Sequence, residues 1–247
     1  MKEIREIVQS YGKCAASGKR CALATVVSVE GSAYRRPGAR MLISEDGMLT
    51  GAISGGCLEG DAMKKALLVI NSQQPALVTY DTMDEDDAVI GVGLGCNGII
   101  KILIEPIIES SSQNPLQILQ HIIKARRKNI IATFYTKNEK SQNTSGTKLY
   151  IDESGSILGN VATQDCENTI YKHYKKVFEN KESVWVDFEE NNIQRCVFLE
   201  FVPPVIQLII AGAGNDVKPL TEMAYILGWD TVVIDGRANY AKKERFP

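Results

Sequence analysis

The carboxy-terminal part of the chain has the pattern of a strand, a glycine-rich turn, a helix and a second strand. An apolar run, Val205–Ile210, leads into the turn Ala211–Gly214. A helical segment, Val217–Leu227, follows, and a second apolar run, Thr231–Ile234, ends at Asp235. Two strands joined by a helix pair in parallel in the same sheet. The pattern therefore predicts an α/β fold with a unit of Rossmann type.

Gly212 and Gly214 lie in the turn at which such units bind nucleotides. Glycine lets the backbone approach a pyrophosphate closely, and an acidic side chain ~20 residues later bonds the ribose 2′-hydroxyl. Asp235 lies 23 residues after Gly212, whereas Val217 replaces the third glycine of the fingerprint. Gly212, Gly214 and Asp235 are therefore candidate contacts for NAD(P) or another nucleotide.

Pro203 and Pro204 separate this unit from the rest of the chain, because proline cannot sit in a central strand. We predict an amino-terminal, cofactor-binding domain of mixed sheet and helices at residues 1–203, followed by a partial, truncated Rossmann-like domain at residues 204–247. Hydrophobic periodicity predicts the elements of the first domain, and Asn114 followed by Pro115 predicts the start of its third helix. Helices are expected near residues 4–18, 57–71, 115–128 and 165–178, and strands at 22–29, 40–44, 48–53, 76–80, 99–104, 130–135, 148–151, 184–188 and 194–201.

Composition excludes several classes of protein. The 247 residues include 28 basic and 30 acidic side chains, for a net charge of −2, which argues against a nucleic-acid binder. No apolar run reaches the ~20 residues of a membrane helix, and the charged amino terminus does not resemble a leader. The six cysteines are then expected to be reduced thiols of a cytoplasmic protein. Without a CxxC pair, a zinc site is not expected.

Two of the cysteines lie in glycine-rich loops. Cys57 follows Gly55 and Gly56, and Cys96 follows Gly95. Backbone N–H groups around a sulfur, and the positive end of a helix dipole, favour the thiolate form. Glycine also lets a ligand approach closely. Both cysteines are candidate ligand contacts, and the alternative is a small buried side chain beneath a tight turn.

Acidic residues accompany both loops. Glu59 follows Cys57 by two residues and is expected to accept a hydrogen bond from the Gly56 amide. The run at residues 84–87 precedes the second loop. Such a run is typical of an exposed loop, and a Mg²⁺ site is the alternative.

Three arginines, Arg35, Arg36 and Arg40, surround a turn that contains Pro37 and Gly38. A guanidinium group can donate two parallel hydrogen bonds to a phosphate. A solvated charged surface is the alternative interpretation. We favour an anion-binding turn in which Arg36 makes the main contact.

Several of these segments form longer motifs, GSAYRRPGARM at 31–41, GAISGGCLE at 51–59 and GLGC at 93–96, with 212–214 and 235–237 behind them. In type, order and spacing they resemble the family of xanthine dehydrogenase accessory factors, which includes maturation factors of carbon monoxide dehydrogenase. Tyr34 stands where proline is common in that family.

The resemblance implies that the protein holds the molybdenum cofactor (molybdopterin), supports its sulfuration and inserts it into a xanthine dehydrogenase-type molybdenum hydroxylase. It also implies that the three arginines and both cysteine loops surround the cofactor, with Cys57 and Cys96 near the molybdenum or its sulfur. The sulfur is expected to come from a partner cysteine desulfurase. A cofactor-insertion chaperone is therefore favoured over a catalyst.

Two other functions stay open from the residues alone. A Rossmann-type NAD(P)-dependent oxidoreductase would use Gly212 and Gly214, and a thiol redox sensor would use Cys57 and Cys96. We also expect a homodimer, because the apolar segment 232–234 lies in a sheet too small to cover it and an exposed strand edge pairs readily with a second copy.

Overall fold

The computed structural model describes residues 1–81, 97–109, 114–136, 146–159, 161, 163–190, 192–237 and 239–247. Backbone contacts group them into two units, Glu3–Val202 and Pro203–Pro247, the second of which includes Met1 and Lys2. The assignment of residues 1–203 and 204–247 as separate domains stays a prediction.

The first sheet of the larger unit positions most of the candidate site residues. Its strands are β1 (Cys21–Ser32), β2 (Arg40–Ser44), β3 (Leu49–Gly51), β4 (Ala76–Asp81) and β5 (Asn97–Pro106). They pair in the order β3, β2, β1, β5, β4, and each pair is antiparallel. The strand β1 is therefore central, and the turn between β1 and β2 emerges from the middle of the sheet.

The second sheet of this unit is also antiparallel. Its strands are β6 (Asn129–Thr136), β7 (Gly146–Asp152), β8 (Ile157–Gly159), β9 (Val184–Glu190) and β10 (Ile193–Val202). They pair in the order β8, β7, β6, β10, β9. The described strand pairs of the larger unit are thus antiparallel, whereas mixed sheet was predicted there.

Four helices belong to the same part of the chain: α1 (Lys2–Ala16), α2 (Glu59–Ser72), α3 (Pro115–Ala125) and α4 (Gln164–Asn180). Asn114 caps α3 as predicted, since its side chain accepts from Leu116 N at 2.9 Å and proline follows at the first helical position. In the described ranges, no helix combines the length and the apolar character needed to cross a membrane.

Each sheet is covered by a helix on one face. Ala62, Ala66 and Ile70 of α2 are buried in one core cluster with residues of the first sheet, and Ile170 and Val177 of α4 are buried in another with residues of the second. Full burial of an isoleucine or valine side chain is worth about 1.5–3 kcal/mol. Burial of these apolar faces therefore holds each helix against its sheet.

The other faces of the two sheets pack together. Val27 and Leu103 of the first sheet share a buried cluster with Tyr135 and Phe198 of the second. Trp185 stacks on Phe198 at a centroid distance of 4.8 Å, and its Nε1 donates to Val27 O at 2.7 Å. The larger unit is therefore a two-sheet sandwich with α2 and α4 on its outer faces.

The smaller unit contains β11 (Gln207–Ala211), α5 (Val217–Ile226) and β12 (Asp230–Ile234). The two strands pair in parallel, with Ile209 opposite Val232, so the predicted strand, turn, helix and strand are confirmed. Together with the larger unit, this pair confirms the α/β class.

Two local differences from the prediction have simple causes. The helix predicted from Cys57 begins at Glu59, because Leu58 is the cap residue and its carbonyl accepts from Ala62 N at 2.9 Å. The strand β8 was missed, since its three residues are all exposed and give no burial pattern.

Candidate functional site

The arginine turn, residues 33–39, joins β1 to β2. Backbone hydrogen bonds close its base: Gly38 N donates to Val26 O at 2.8 Å, and Val26 N donates to Ala39 O at 2.9 Å. Gly38 has a φ of +92°, a conformation that costs glycine little. The hydrogen bonds with Val26 of β1 therefore hold the turn in a defined conformation.

Arg40, at the start of β2, lies in a buried ion pair. Its side chain is 2% exposed and both Nη atoms donate to the carboxylate of Glu200 in β10. Nη1 also donates to Gly38 O at 2.8 Å. Burial alone would lower the pKa of Arg40, but Glu200, with a smaller effect from Glu105, raises it. A ligand could reach the guanidinium only by breaking the pair, and the predicted cofactor contact of Arg40 stays a prediction.

Arg35 and Arg36 differ in their partners. Arg35 forms an ion pair with Glu3 of α1, and the same carboxylate accepts from Arg40 N at 3.3 Å. Arg36 is exposed, and no residue in the described ranges bonds its guanidinium. Of the three predicted arginines, Arg36 is therefore the one whose charge is most available to a ligand.

The cysteine loop, residues 52–58, joins β3 to α2 and is organised by Ser54. Its Oγ accepts hydrogen bonds from Gly56 N and Leu58 N, each at 3.1 Å. The same hydroxyl donates to the Glu59 carboxylate. Because Gly56 and Leu58 flank Cys57, these bonds fix the loop on both sides of it.

Glu59 does not accept from Gly56, as the sequence led us to expect, but from the start of the loop. Its Oε1 accepts from Ile53 N at 3.2 Å and Ser54 N at 2.8 Å. Burial alone would raise the pKa of Glu59, but the hydrogen bonds from Ser54 and the nearby backbone amides outweigh burial and lower it. The carboxylate therefore remains ionised and anchors the loop to the first turn of α2.

Cys57 is half-buried, whereas the other four cysteines within the described part of the chain are buried. Its Sγ lies 3.4 Å from Ser54 Oγ. Since the hydroxyl proton of Ser54 already goes to Glu59, the sulfur keeps its lone pairs available. Cys57 can thus present a soft sulfur atom to a ligand from solvent.

The structure brings the arginine turn and the cysteine loop together. A Cβ placed on Gly55 would lie 3.1–3.2 Å from three ring atoms of Tyr34, so the tyrosine ring occupies the space beside the Gly55 backbone. Ala33 and Cys57 both pack against the core cluster beneath α2. The two segments therefore form one surface, with Tyr34 at the junction.

The second glycine loop lies outside the described residues. This applies to Gly95 and Cys96, and to the acidic run at 84–87. Among the residues that the structure does describe, no group of three His, Cys, Asp or Glu side chains could hold a metal ion. The predicted pairing of Cys57 with Cys96 around a ligand stays a prediction.

In the smaller unit, the glycine turn follows β11. Gly212 has a φ of +107° and its N–H donates to Ile234 O at 2.7 Å. Gly214 has little free space, since a Cβ there would meet the Asp216 carboxylate. The turn is therefore tight, as the glycine pattern predicted.

The carboxylate of Asp235, a predicted nucleotide contact, already accepts hydrogen bonds from within the protein. Its carboxylate accepts from Ala213 N at 2.8 Å, and from the backbone N, Nε and Nη2 of Arg237 at 2.8–2.9 Å. The hydrogen bonds from Arg237 are the main cause that lowers the pKa of Asp235. The four bonds saturate both oxygens, so a ribose hydroxyl would have to displace Arg237.

Sequence reasoning missed four residues that shape this region: Ser54, Glu3, Glu200 and Tyr34. Ser54 had a local signal, since serine hydroxyls commonly bond backbone groups two to four residues away. The partners of Glu3 and Glu200 are distant in the chain, and Arg40 and Glu200 are 160 residues apart. Tyr34 was visible only as a departure from the family motif.

Comparison with known proteins places the candidate site inside a matched region. Residues 14–81 match the sequence model of the XdhC and CoxI family, and this range contains the arginine turn and the cysteine loop. The chain is 31% identical over 228 residues to a Bacillus subtilis (strain 168) protein whose name describes a probable xanthine dehydrogenase subunit, covering 91% of this chain and 62% of that protein.

Two further proteins are similar to the chain. The Escherichia coli (strain K12) molybdenum cofactor insertion chaperone PaoD is 31% identical over 118 residues, 48% of this chain and 36% of that protein. The crystal structure of a xanthine dehydrogenase from Bacillus halodurans superposes with a TM-score of 0.71 at 32% identity, covering 98% of this chain and 66% of that one. The chain therefore spans less than two thirds of the length of the curated relatives it matches. These similarities, together with the motifs that carry them, place residues 14–81 of the chain in the XdhC and CoxI family.

Proposed function

We propose that this chain binds the molybdenum cofactor and acts in its maturation. The observation that carries the proposal is the contact between Tyr34 and Gly55, which joins the arginine turn to the cysteine loop. Both segments lie within the family match at residues 14–81. The name of the Escherichia coli relative, a molybdenum cofactor insertion chaperone, supports the same role.

The side chains at this surface suit the two ends of such a ligand. The cofactor carries a phosphate ester and a molybdenum atom that is bound by sulfur. The exposed guanidinium of Arg36 suits the phosphate, because it donates parallel hydrogen bonds. The half-buried thiol of Cys57 suits molybdenum or its sulfur ligand. We propose Cys96, in the loop with Gly95, as the second sulfur contact.

The proposed role is that of an insertion chaperone. The chain would shield the cofactor, support its sulfuration by a partner cysteine desulfurase and deliver it to a xanthine dehydrogenase-type hydroxylase in the cytoplasm. The half-buried sulfur of Cys57, which follows two glycines and precedes α2, fits such a role. It can contact a ligand that must later leave. The proposal assigns no bond-breaking step to the chain itself.

Cofactor retention tests the function directly. Because Cys57 is the accessible thiol of the described chain and Cys96 is its proposed partner, Cys57→Ala or Cys96→Ala should reduce retention of the molybdenum cofactor after gel filtration. The retained cofactor is measured as pterin fluorescence after acid oxidation. Cys14→Ala is the matched control, since Cys14 is buried in α1.

Equal retention in all three variants would remove the thiols from the mechanism. Two rival functions have signatures of their own in the same preparation. A bound nicotinamide without pterin would favour an NAD(P)-dependent oxidoreductase that uses the turn at Gly212 and Gly214. A reversible Cys57–Cys96 disulfide with neither ligand would favour a redox sensor.

We also propose that the chain forms a homodimer through the smaller unit. One face of the β11–β12 pair carries Ile209, 61% exposed, and Ile234, 56% exposed. Parallel strands are normally covered on both faces, and a second copy of the chain would cover this exposed face.

Light scattering should report a dimer for the chain and a monomer for Ile209→Lys. Leu68→Lys, at a 69% exposed position of α2, should remain dimeric; a monomeric unaltered chain would contradict the proposal.

A further inference from the structure

Tyr34 is an exposed aromatic residue that the motifs did not assign to the site. Its side chain is 75% exposed, and no residue in the described ranges bonds its hydroxyl. A large aromatic ring usually gains free energy by burial. The exposed ring, two residues before Arg36, is therefore a candidate ligand contact.

The position of the ring is set by a glycine. Three ring atoms, Cγ, Cδ1 and Cδ2, would lie at nearly equal distances of 3.1–3.2 Å from a Cβ on Gly55. Near-equal distances to these atoms mean that the Gly55 Cα faces the plane of the ring and not its edge. One face of the ring therefore rests on the cysteine loop, which leaves the opposite face open to solvent.

From this arrangement, we propose that the open face of Tyr34 is a stacking platform for the planar pterin ring system of the ligand. The inference rests on the proposed function and adds the recognition of the ring to that of the phosphate and the metal. Aromatic side chains stack on flat heteroaromatic rings in an offset arrangement, as they do on nucleic-acid bases. Tyr34 is two residues before Arg36 on the turn, and its ring rests on Gly55, which is two residues before Cys57 on the loop. A ring stacked there would therefore be close to both proposed ends of the ligand.

Substitutions at Tyr34 test the platform. Tyr34→Leu keeps an apolar side chain but removes the ring, and we expect about tenfold weaker binding of the molybdenum cofactor. Tyr34→Phe keeps the ring and should bind within about twofold of the unaltered chain, since stacking needs no hydroxyl. A second readout is quenching of the fluorescence of free pterin-6-carboxylate, which contains neither phosphate nor molybdenum. The unaltered chain and Tyr34→Phe should quench it, and Tyr34→Leu should not.

Gly55 gives a matched double-mutant cycle. Gly55→Ala places a methyl group where the Tyr34 ring lies, so it should displace the ring and weaken binding about as much as Tyr34→Leu. In the Tyr34→Leu background, the same methyl group has no ring to displace and should cause little further loss. Equal losses from Gly55→Ala in both backgrounds would overturn the platform.

The outcomes separate this inference from the proposed function. If the unaltered chain and Tyr34→Leu retain the cofactor equally, the platform is wrong and the proposed function stands. If the unaltered chain retains no cofactor while the Escherichia coli relative does so under the same conditions, the proposed function fails and the platform fails with it. Thermal unfolding of each variant verifies that a loss of binding is not a loss of folding.

Discussion

Replacing Arg40 with methionine should destabilise the larger unit by about 3–5 kcal/mol. The side chain of Arg40 is 2% exposed and that of Glu200 is 12% exposed, so their ion pair is almost free of solvent. Removing the cation leaves the Glu200 carboxylate buried without its charge partner. Because 1 kcal/mol corresponds to about 2–4 °C for a domain of this size, the melting temperature should fall by on the order of 10 °C.

The two halves of the pair should not be equivalent. Glu105 is 5% exposed, and its charge also raises the pKa of Arg40. Loss of Arg40 therefore removes a favourable charge from both Glu200 and Glu105, whereas Glu200→Gln leaves Arg40 with Glu105 still nearby. We expect Arg40→Met to be more destabilising than Glu200→Gln in urea unfolding, and the reverse order would contradict this account of the cluster.

Two control variants make the comparison quantitative. Arg20 forms an ion pair with Glu45 while 53% exposed, and exposed pairs are worth about 0–1 kcal/mol. Arg20→Met should therefore have little effect. The double variant Arg40→Met/Glu200→Leu should recover part of the loss, since apolar replacement of a whole buried pair is often neutral or stabilising.

Local elements were predictable from sequence because their signals are local. The cap at Asn114 and the proline that follows it predicted the start of α3, and two apolar runs separated by a helix predicted the parallel pair of β11 and β12. The arrangement of the larger unit's described strands in two antiparallel sheets was not predictable in this way, since pairs such as β5 with β1 and β10 with β6 join distant parts of the chain.

The same difference between local signals and distant partners applies to the site residues. The sequence pointed to Arg36 and Cys57, whose accessibility is a property of their own turn and loop. It did not reveal the ion pair of Arg40, because the partner, Glu200, comes from β10 of the other sheet. Glu59 was misjudged for a different reason: a glutamate that closes a capping box lies three residues after the cap, whereas Glu59 is itself the first residue of α2.

Arg36→Ala should weaken binding of the molybdenum cofactor by about 1.5–3 kcal/mol, the usual value of a hydrogen bond to a charged group. This corresponds to an increase in Kd of about 10- to 150-fold. Arg35 is paired with Glu3 and Arg40 with Glu200, so neither can replace the lost guanidinium without giving up its own carboxylate. Arg36→Lys should restore only part of the affinity, because an ammonium group cannot form the planar two-bond contact.

The matched control for this substitution lies at the opposite end of α2. Arg20 donates to Ile70 O at 3.5 Å and to Asn71 Oδ1 at 3.2 Å, close to the carboxyl end of the helix, whereas Cys57 precedes its amino end. Arg20→Ala should therefore leave the Kd for the cofactor unchanged.

Inorganic phosphate should compete with the cofactor for the unaltered chain and much less for Arg36→Ala, because the competing anion would occupy the site that Arg36 provides. Unchanged affinity and unchanged phosphate competition in Arg36→Ala would show that this arginine is a solvated surface charge.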